Sequence, residues 1–281
     1  NIGILENDFG AVNVDMMLLR ELEGEQCELE MVAGGCDKDC HRRRFKTKLI
    51  AMGMCGYDRV LIEPSGIFDM DEFFDALHEE PLDRWYQIGN VIAVVDAGLD
   101  EKMSEEADYI LASEVADAGC IVLSKTQEAS EKYIENTVKH LNRALEAVHC
   151  KRKFGEDEII RKDWEQFETE DFERILNSGY IAEDYEKMSL DEKEVFKSLY
   201  FMDLEISGEE LRDAAQKIMQ DPACGSVFRI KGFTQEPDGN WTELNATHHE
   251  ITQCPIAEGQ KVIIVIGEQP DEEMIKKYLK A

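Results

Sequence analysis

Five short aliphatic runs, each separated from the next by text with helical spacing, constrain this chain more than any other feature. They occupy residues 1–5, 28–33, 58–63, 90–96 and 120–124. A strand that returns by way of a helix pairs in parallel with the strand it left. The first 150 residues are therefore expected to form a parallel α/β sheet. The clearest helix lies at residues 42–54, with Phe45, Leu49, Ile50 and Met52 near one face. Open parallel sheets bind ligands beyond the carboxyl ends of their strands. Functional residues should thus gather just after Leu5, Ala33, Ile62, Val95 and Leu123.

The remaining residues divide in two. Residues 151–199 are rich in Glu, Asp and Lys and carry Trp164, Phe167, Phe172, Tyr180 and Tyr185. They are expected to form an acidic helical linker, and no motif stands in them. From residue 200 the text runs strand, helix (208–220), strand (227–233), strand (241–246), strand (261–266), helix (271–279). The sequence Pro237-Asp238-Gly239-Asn240 marks a hairpin turn. The expectation is a small C-terminal α+β domain of roughly ferredoxin-like order at residues 200–281, after a nucleotide-switch α/β domain at 1–150.

Composition excludes several classes. Acidic residues outnumber basic ones 61 to 31, for a formal net charge of −30. A surface so negative repels phosphate backbones, which argues against a nucleic-acid partner. No apolar run approaches the ~20 residues that span a bilayer, and no cationic leader precedes an apolar stretch. The eight cysteines are scattered through an acidic chain of 281 residues, as suits reduced cytoplasmic thiols better than a disulfide framework. The chain starts at Asn1 rather than Met and runs straight into a strand, so an upstream start is expected.

Three motifs carry chemistry. The run Tyr57-Asp58-Arg59-Val60-Leu61-Ile62-Glu63-Pro64-Ser65-Gly66 is an apolar strand with an acid at its tip and a small-residue loop beyond. An acid there can hold magnesium through water, and a glycine lets a backbone N–H approach a terminal phosphate. Ahead of it stand the loop Glu6-Asn7-Asp8-Phe9-Gly10, continued by Val12-Asn13-Val14-Asp15, and then Gly34-Gly35-Cys36. In this order the set resembles the CobW-like (CobW/HypB/UreG-type) family of P-loop GTPases and metallochaperones, whose E-N-E-F-G loop, G-C-x-C-C motif and I-E-S/T-G element follow one another. The run Arg229-Ile230-Lys231-Gly232-Phe233, with Trp241 and residues 262–267, is similar to that family's C-terminal domain. The resemblance covers roughly residues 1–130 and 200–281.

It implies a P-loop NTPase-like fold and nucleotide-gated delivery of a transition metal, with Mg2+ and GTP (or ATP) bound. Glu63 would hold magnesium, Gly66 would sense the terminal phosphate, and Asp8 or Asp15 would position magnesium or water. Hydrolysis would move the 6–15 and 63–66 loops and so change the grip on the metal. A client metalloenzyme would be the partner.

The chain departs from the pattern in three places. No G-x-x-x-x-G-K-S/T occurs in it, although that loop cradles the β- and γ-phosphates; in the family it belongs just before Asn1. The C-x-C-C motif stands here as Cys36-Asp37-Lys38-Asp39-Cys40-His41. Two thiolates and an imidazole still offer three ligands to zinc or a similar metal, with Glu6, Asp8 or water as the fourth. The alternative is that Cys36 packs beneath a glycine turn while His41 opens the helix. The adjacent Arg42-Arg43-Arg44 opposes a cation and suits an anion. Finally, the base-reading N-K-x-D stands as Ser124-Lys125-Thr126-Gln127, followed by Glu128. A neutral amide oxygen accepts less well than a carboxylate from the guanine N1–H and amine. Lys125 can still lie against the base or ribose. Two rival functions stay open: a metal-binding or sensor protein without hydrolysis, and an ATPase assisting a cofactor enzyme. His248-His249 reads as a surface pair, and Trp85 and Tyr86 as packing.

Overall fold

The computed structural model describes residues 1–8, 16, 19–33, 38–64, 66, 70–188, 196–236, 238–257 and 259–280. The chain divides into two compact units: Asn1–His41, Asp58–Ser65 and Asp191–Ala281 form one, and Arg42–Tyr57 with Gly66–Leu190 the other.

The first unit opens with a parallel sheet of β1 (Ile2–Asp8), β2 (Cys27–Ala33) and β3 (Arg59–Pro64) in the order β2-β1-β3. β1 runs three residues past its expected end at Leu5. Backbone pairing does this: Glu6, Asn7 and Asp8 lie opposite Met31, Val32 and Ala33 on one side, and Glu6 and Asn7 opposite Glu63 and Pro64 on the other. Ladder hydrogen bonds are indifferent to whether the side chains are polar. Leu5, Glu6 and Asn7 are all buried, so both faces of this central strand are enclosed.

α1 (Lys38–Cys55) starts earlier than expected and continues into the second unit. There its Phe45 ring lies 5.3 Å from Phe73 of α2 (Met70–Leu77). The Tyr86 hydroxyl donates to Leu49 O at 2.7 Å, and Trp85 lies over Gly53. Trp85 and Tyr86 thus pack against α1, as expected. The unit's parallel sheet has the order β4-β5-β6, from β4 (Ile92–Asp96), β5 (Cys120–Ser124) and β6 (Ile159–Ile160). Between them run α3 (Glu105–Ala116) and α4 (Glu131–Ala147), which pack on each other and bury Tyr109, Val115, Leu141 and Leu145. Ser104 and Ser130 cap their first turns.

Residues 151–188 carry β6, two short 3-10 turns, α5 (Thr169–Leu176) and an extended stretch. Buried Arg152 donates to Ala116 O and Glu158 Oε1. Tyr180 bridges Ala118, and Glu183 N bonds to Asp117 Oδ1 at 3.0 Å.

The C-terminal residues of the first unit form a five-stranded antiparallel sheet, β10-β9-β8-β11-β7. Its strands are β7 (Phe196–Met202), β8 (Ser226–Gln235), β9 (Trp241–Ala246), β10 (Ile251–Ile256) and β11 (Val262–Glu268). α6 (Gly208–Gln220) joins β7 to β8 with β11 lying between them, and α7 (Glu272–Leu279) closes the chain. This is the split βαβ arrangement of ferredoxin-like order. β10 is an addition to the expected strands, at the sheet edge, where its Pro255 is tolerated. His248 and His249 stand exposed in the β9–β10 turn. Among the described residues no helix is long and apolar enough to cross a membrane.

The docking of residues 178–181 depends on Gly119. A Cβ there would meet Gly179 O at 2.2 Å and Ser178 O at 2.5 Å, both backbone atoms. Gly119→Ala is expected to destabilise the protein by about 1–3 kcal/mol in urea unfolding. Gly89→Ala, with nothing within 4 Å of its Cβ, should be close to neutral.

Candidate functional site

The carboxyl ends of β1, β2 and β3 lie side by side, because the three strands are parallel. Side chains alternate along a strand, so Glu6 and Asn7 leave β1 on opposite faces. Glu6 and Glu63 are register partners on neighbouring strands and emerge on one face. Glu6 is buried, whereas Glu63 at the sheet edge is exposed.

On the other face, Asn7 meets His41. Both are 1% exposed, and His41 Nε2 stands 2.8 Å from Asn7 Oδ1. The amide oxygen only accepts, so the Nε2–H donates and the pairing sets the tautomer. Asn7 Nδ2 is buried without a partner among the described residues. Cys40, half-buried and not in a disulfide, stands one residue before this histidine in the first turns of α1.

Of the expected metal ligands, Cys40 and His41 are neighbours and Glu6 faces away from the His41–Asn7 pair. Cys36 and Asp15 lie outside the described residues, as does the side chain of Asp8. Among the described residues, no three His, Cys, Asp or Glu groups converge as a metal site. Gly66 sits in an exposed turn beyond β3, with open space where a Cβ would stand. Neither packing nor a positive φ requires glycine there.

In the second unit, Arg42 and Lys46 project one helical turn apart from α1 and both grip Glu79, at 2.6 Å each. The Lys46 ammonium, with Arg42 behind it, holds the Glu79 carboxyl below the usual carboxylate range. Arg42 of the Arg42-Arg43-Arg44 run is therefore engaged in the fold.

The tips of β4 and β5 form a second polar cluster. Asp96 and Ser124 are register partners, and Lys125 follows with a φ of 55°. That left-handed backbone is uncommon outside glycine. It turns the side chain back so that Nζ lies 2.8 Å from Asp96 Oδ2. Asp96 Oδ1 accepts from Gly98 N at 2.8 Å, so both carboxylate oxygens are engaged. The loop beyond is stapled to α4: Thr137 donates to Ala97 O at 2.8 Å, and His140 Nδ1 stands 2.8 Å from Asp100 O. His140 Nε2 lies 2.5 Å from Asp108 Oδ1 of α3. Glu128 N bonds to Lys125 O at 3.0 Å, and Gln127 Nε2 donates to Glu128 Oε1 at 3.4 Å. The amide and the carboxylate thus lie side by side near the held lysine. Asp96 and Asn7 join these clusters without being among the expected site residues. An acid ending an apolar strand was a usable signal for Asp96, but nothing local marked Asn7 as a histidine's partner.

The CobW/HypB/UreG nucleotide-binding domain profile matches residues 1–154. Among solved structures, the chain is similar to the Zn(II)-bound YjiA GTPase from E. coli at 17% identity, covering 99% of this chain and 97% of that one with a TM-score of 0.37. A Zn(II)-bound triple mutant of YjiA GTPase is also 17% identical, over 100% of this chain and 89% of that one, with a TM-score of 0.38. No curated protein matches.

The His41–Asn7 pair is testable by a double-mutant cycle. Asn7→Ala and His41→Ala should each cost about 1–3 kcal/mol, because each strands a buried polar partner. The double variant should cost clearly less than their sum in urea unfolding.

Proposed function

The chain belongs to the CobW/HypB/UreG family through residues 1–154, more than half of its length, and from that premise we propose that it is a GTP-dependent metal chaperone. The observation that carries the nucleotide half is Lys125, tied to Asp96 at the β4 and β5 tips beside Gln127 and Glu128. A lysine held at that place can lie along a purine or ribose. Its neighbours present acceptors, as a base with N1–H and amine donors requires. In this reading Glu128 supplies the carboxylate missing from position 127, and the Gln127 amide steadies it.

At the first unit's strand tips, Glu63 would hold Mg2+, with Asp8 or Asp15 helping to place it or a water. Two carboxylates emerging on one face, Glu6 and Glu63, suit a hard divalent cation. Magnesium there would neutralise charge developing on the terminal phosphate. Gly66 would present its backbone N–H to that phosphate, which fits a glycine that packing does not demand.

The metal to be delivered is cargo. Cys36, Cys40 and His41 would hold it, with zinc the reference ion for such thiolate and imidazole donors. Glu6 is a poor fourth ligand, since it leaves β1 on the face away from Asn7 and His41; a water fits the expectation better. None of the seven cysteines whose state is described is in a disulfide, in keeping with a reduced, cytoplasmic setting. A client metalloenzyme would receive the ion.

Two measurements test this on the natural full-length protein purified without chelator. Near-stoichiometric zinc, lost in a Cys36→Ser/Cys40→Ser double variant, with magnesium-dependent GTP turnover, is the expected result. Unchanged metal content in that variant would remove the thiol site. For the base, Glu128→Gln should weaken GTP binding by about tenfold or more, the cost of a carboxylate that accepted two hydrogen bonds, and leave ATP binding alone. Equal affinity for GTP and ATP in the parent protein would mean that the base is not read, and tighter ATP binding would assign the site to adenine.

A further inference from the structure

The acidic stretch absorbed into neither site carries an uncovered apolar shelf. Trp164 is 67% exposed, Phe172 54% and Leu176 53%, although large apolar side chains ordinarily lie inside. They lie along one short stretch of chain. Phe172 and Leu176 stand one turn apart on α5. The Phe167 ring meets Phe172 edge-on at 5.6 Å, and the turn holding Trp164 closes by Phe167 N donating to Trp164 O at 3.1 Å. α5 buries none of its residues.

The shelf is also held in place. An isolated eight-residue helix is marginal in water, but α5 starts with a capping box between Glu168 and Asp171. Lys162 clamps Asp171 at 2.6 Å and reaches Glu168 at 3.4 Å. At its far end Asn90 donates to Ile175 O at 3.0 Å, and Arg174 reaches Asp157 O. A partner would therefore meet a formed surface and would not have to order it.

Charge says what covers the shelf. Residues 163–176 hold six acids (Asp163, Glu165, Glu168, Glu170, Asp171 and Glu173) against the single base Arg174. Glu165, Glu170 and Glu173 are exposed and have no ion-pair partner among the described residues. A second copy of this chain, with the same rim and a net charge of −30, would be repelled, and so would an anionic lipid surface. The stripe is two helical turns long, with an aromatic ledge at one end. That is the footprint of another helix. We propose that Trp164, Phe167, Phe172 and Leu176 dock a protein partner through an amphipathic helix whose apolar stripe is bordered by Lys and Arg.

The test uses the full-length protein and a fluorescein-labelled 14-residue Leu/Lys peptide with leucines at helical spacing, followed by anisotropy. Saturable one-to-one binding is expected. It should fall at least tenfold in a Trp164→Ala/Phe172→Ala/Leu176→Ala variant, whose exposed positions leave the urea midpoint in place. A Glu165→Gln/Glu170→Gln/Glu173→Gln variant should bind more weakly and with a flatter salt dependence. A Leu/Glu peptide, and a scrambled Leu/Lys peptide of equal charge, should not bind comparably. Undiminished binding by the apolar triple variant, or equal binding of either control peptide, would overturn the proposal. So would a wild-type dimer in light scattering that the triple variant abolishes, since the occupant would then be a second copy. Binding to phosphatidylcholine vesicles lost in that variant would likewise overturn it in favour of lipid.

Discussion

A strand between two parallel neighbours has its backbone committed on both edges and its side chains enclosed on both faces, and β1 meets that condition with polar residues at its tip. Glu6 and Asn7 are buried where the sheet's ligand end must lie. Burying an unpaired amide costs about 1–3 kcal/mol, and Asn7 offsets part of that through His41. The first turns of α1 are thereby pinned to the strand end, and Cys40 with them. The same histidine that serves as a candidate ligand is a structural member of the strand tip. A change in the packing of β1 would therefore be felt at Cys40 and His41.

The second parallel sheet applies the same geometry to a different task. Asp96 and Ser124 end adjacent strands in register, and Lys125 accepts a left-handed backbone to reach the carboxylate. A non-glycine residue in that region costs on the order of 1 kcal/mol. Here the Asp96 ion pair and the loop stapled by Thr137 and His140 stand against that cost. Elsewhere in the unit an apparent binding feature is partly structural: Arg42 and Lys46 close on Glu79. A run of arginines in a sequence therefore overstates the charge left for an anion.

Much of the architecture was legible because periodicity reports burial directly. β5, α6 and β9 fall where the apolar spacing puts them, and the hairpin signal at residues 237–240 sits between β8 and β9. The misses share one cause. β10 (Ile-Thr-Gln-Cys-Pro-Ile) shows no alternation of polar and apolar residues and carries Pro255, and β6 is two residues long. Both are strands by virtue of an edge that another strand offers, and a local pattern holds no trace of that edge. The extension of β1 through Glu6, Asn7 and Asp8 has the same origin.

By itself the sequence determined the parallel α/β order, the split C-terminal sheet and the membership of a nucleotide-binding family. These follow from hydrophobic period and from motifs in fixed order, both carried by neighbouring residues. Only the tertiary structure decided that His41 pairs with Asn7 across 34 positions, that Asp96 holds Lys125 across 29, and that Glu6 turns from the histidine toward Glu63. It also left the Trp164 to Leu176 shelf uncovered. Pairings of that kind depend on which strands become neighbours and which face each residue takes. Those are properties of the assembled chain, since residues far apart in sequence interact only once the backbone has brought them within a hydrogen bond's reach.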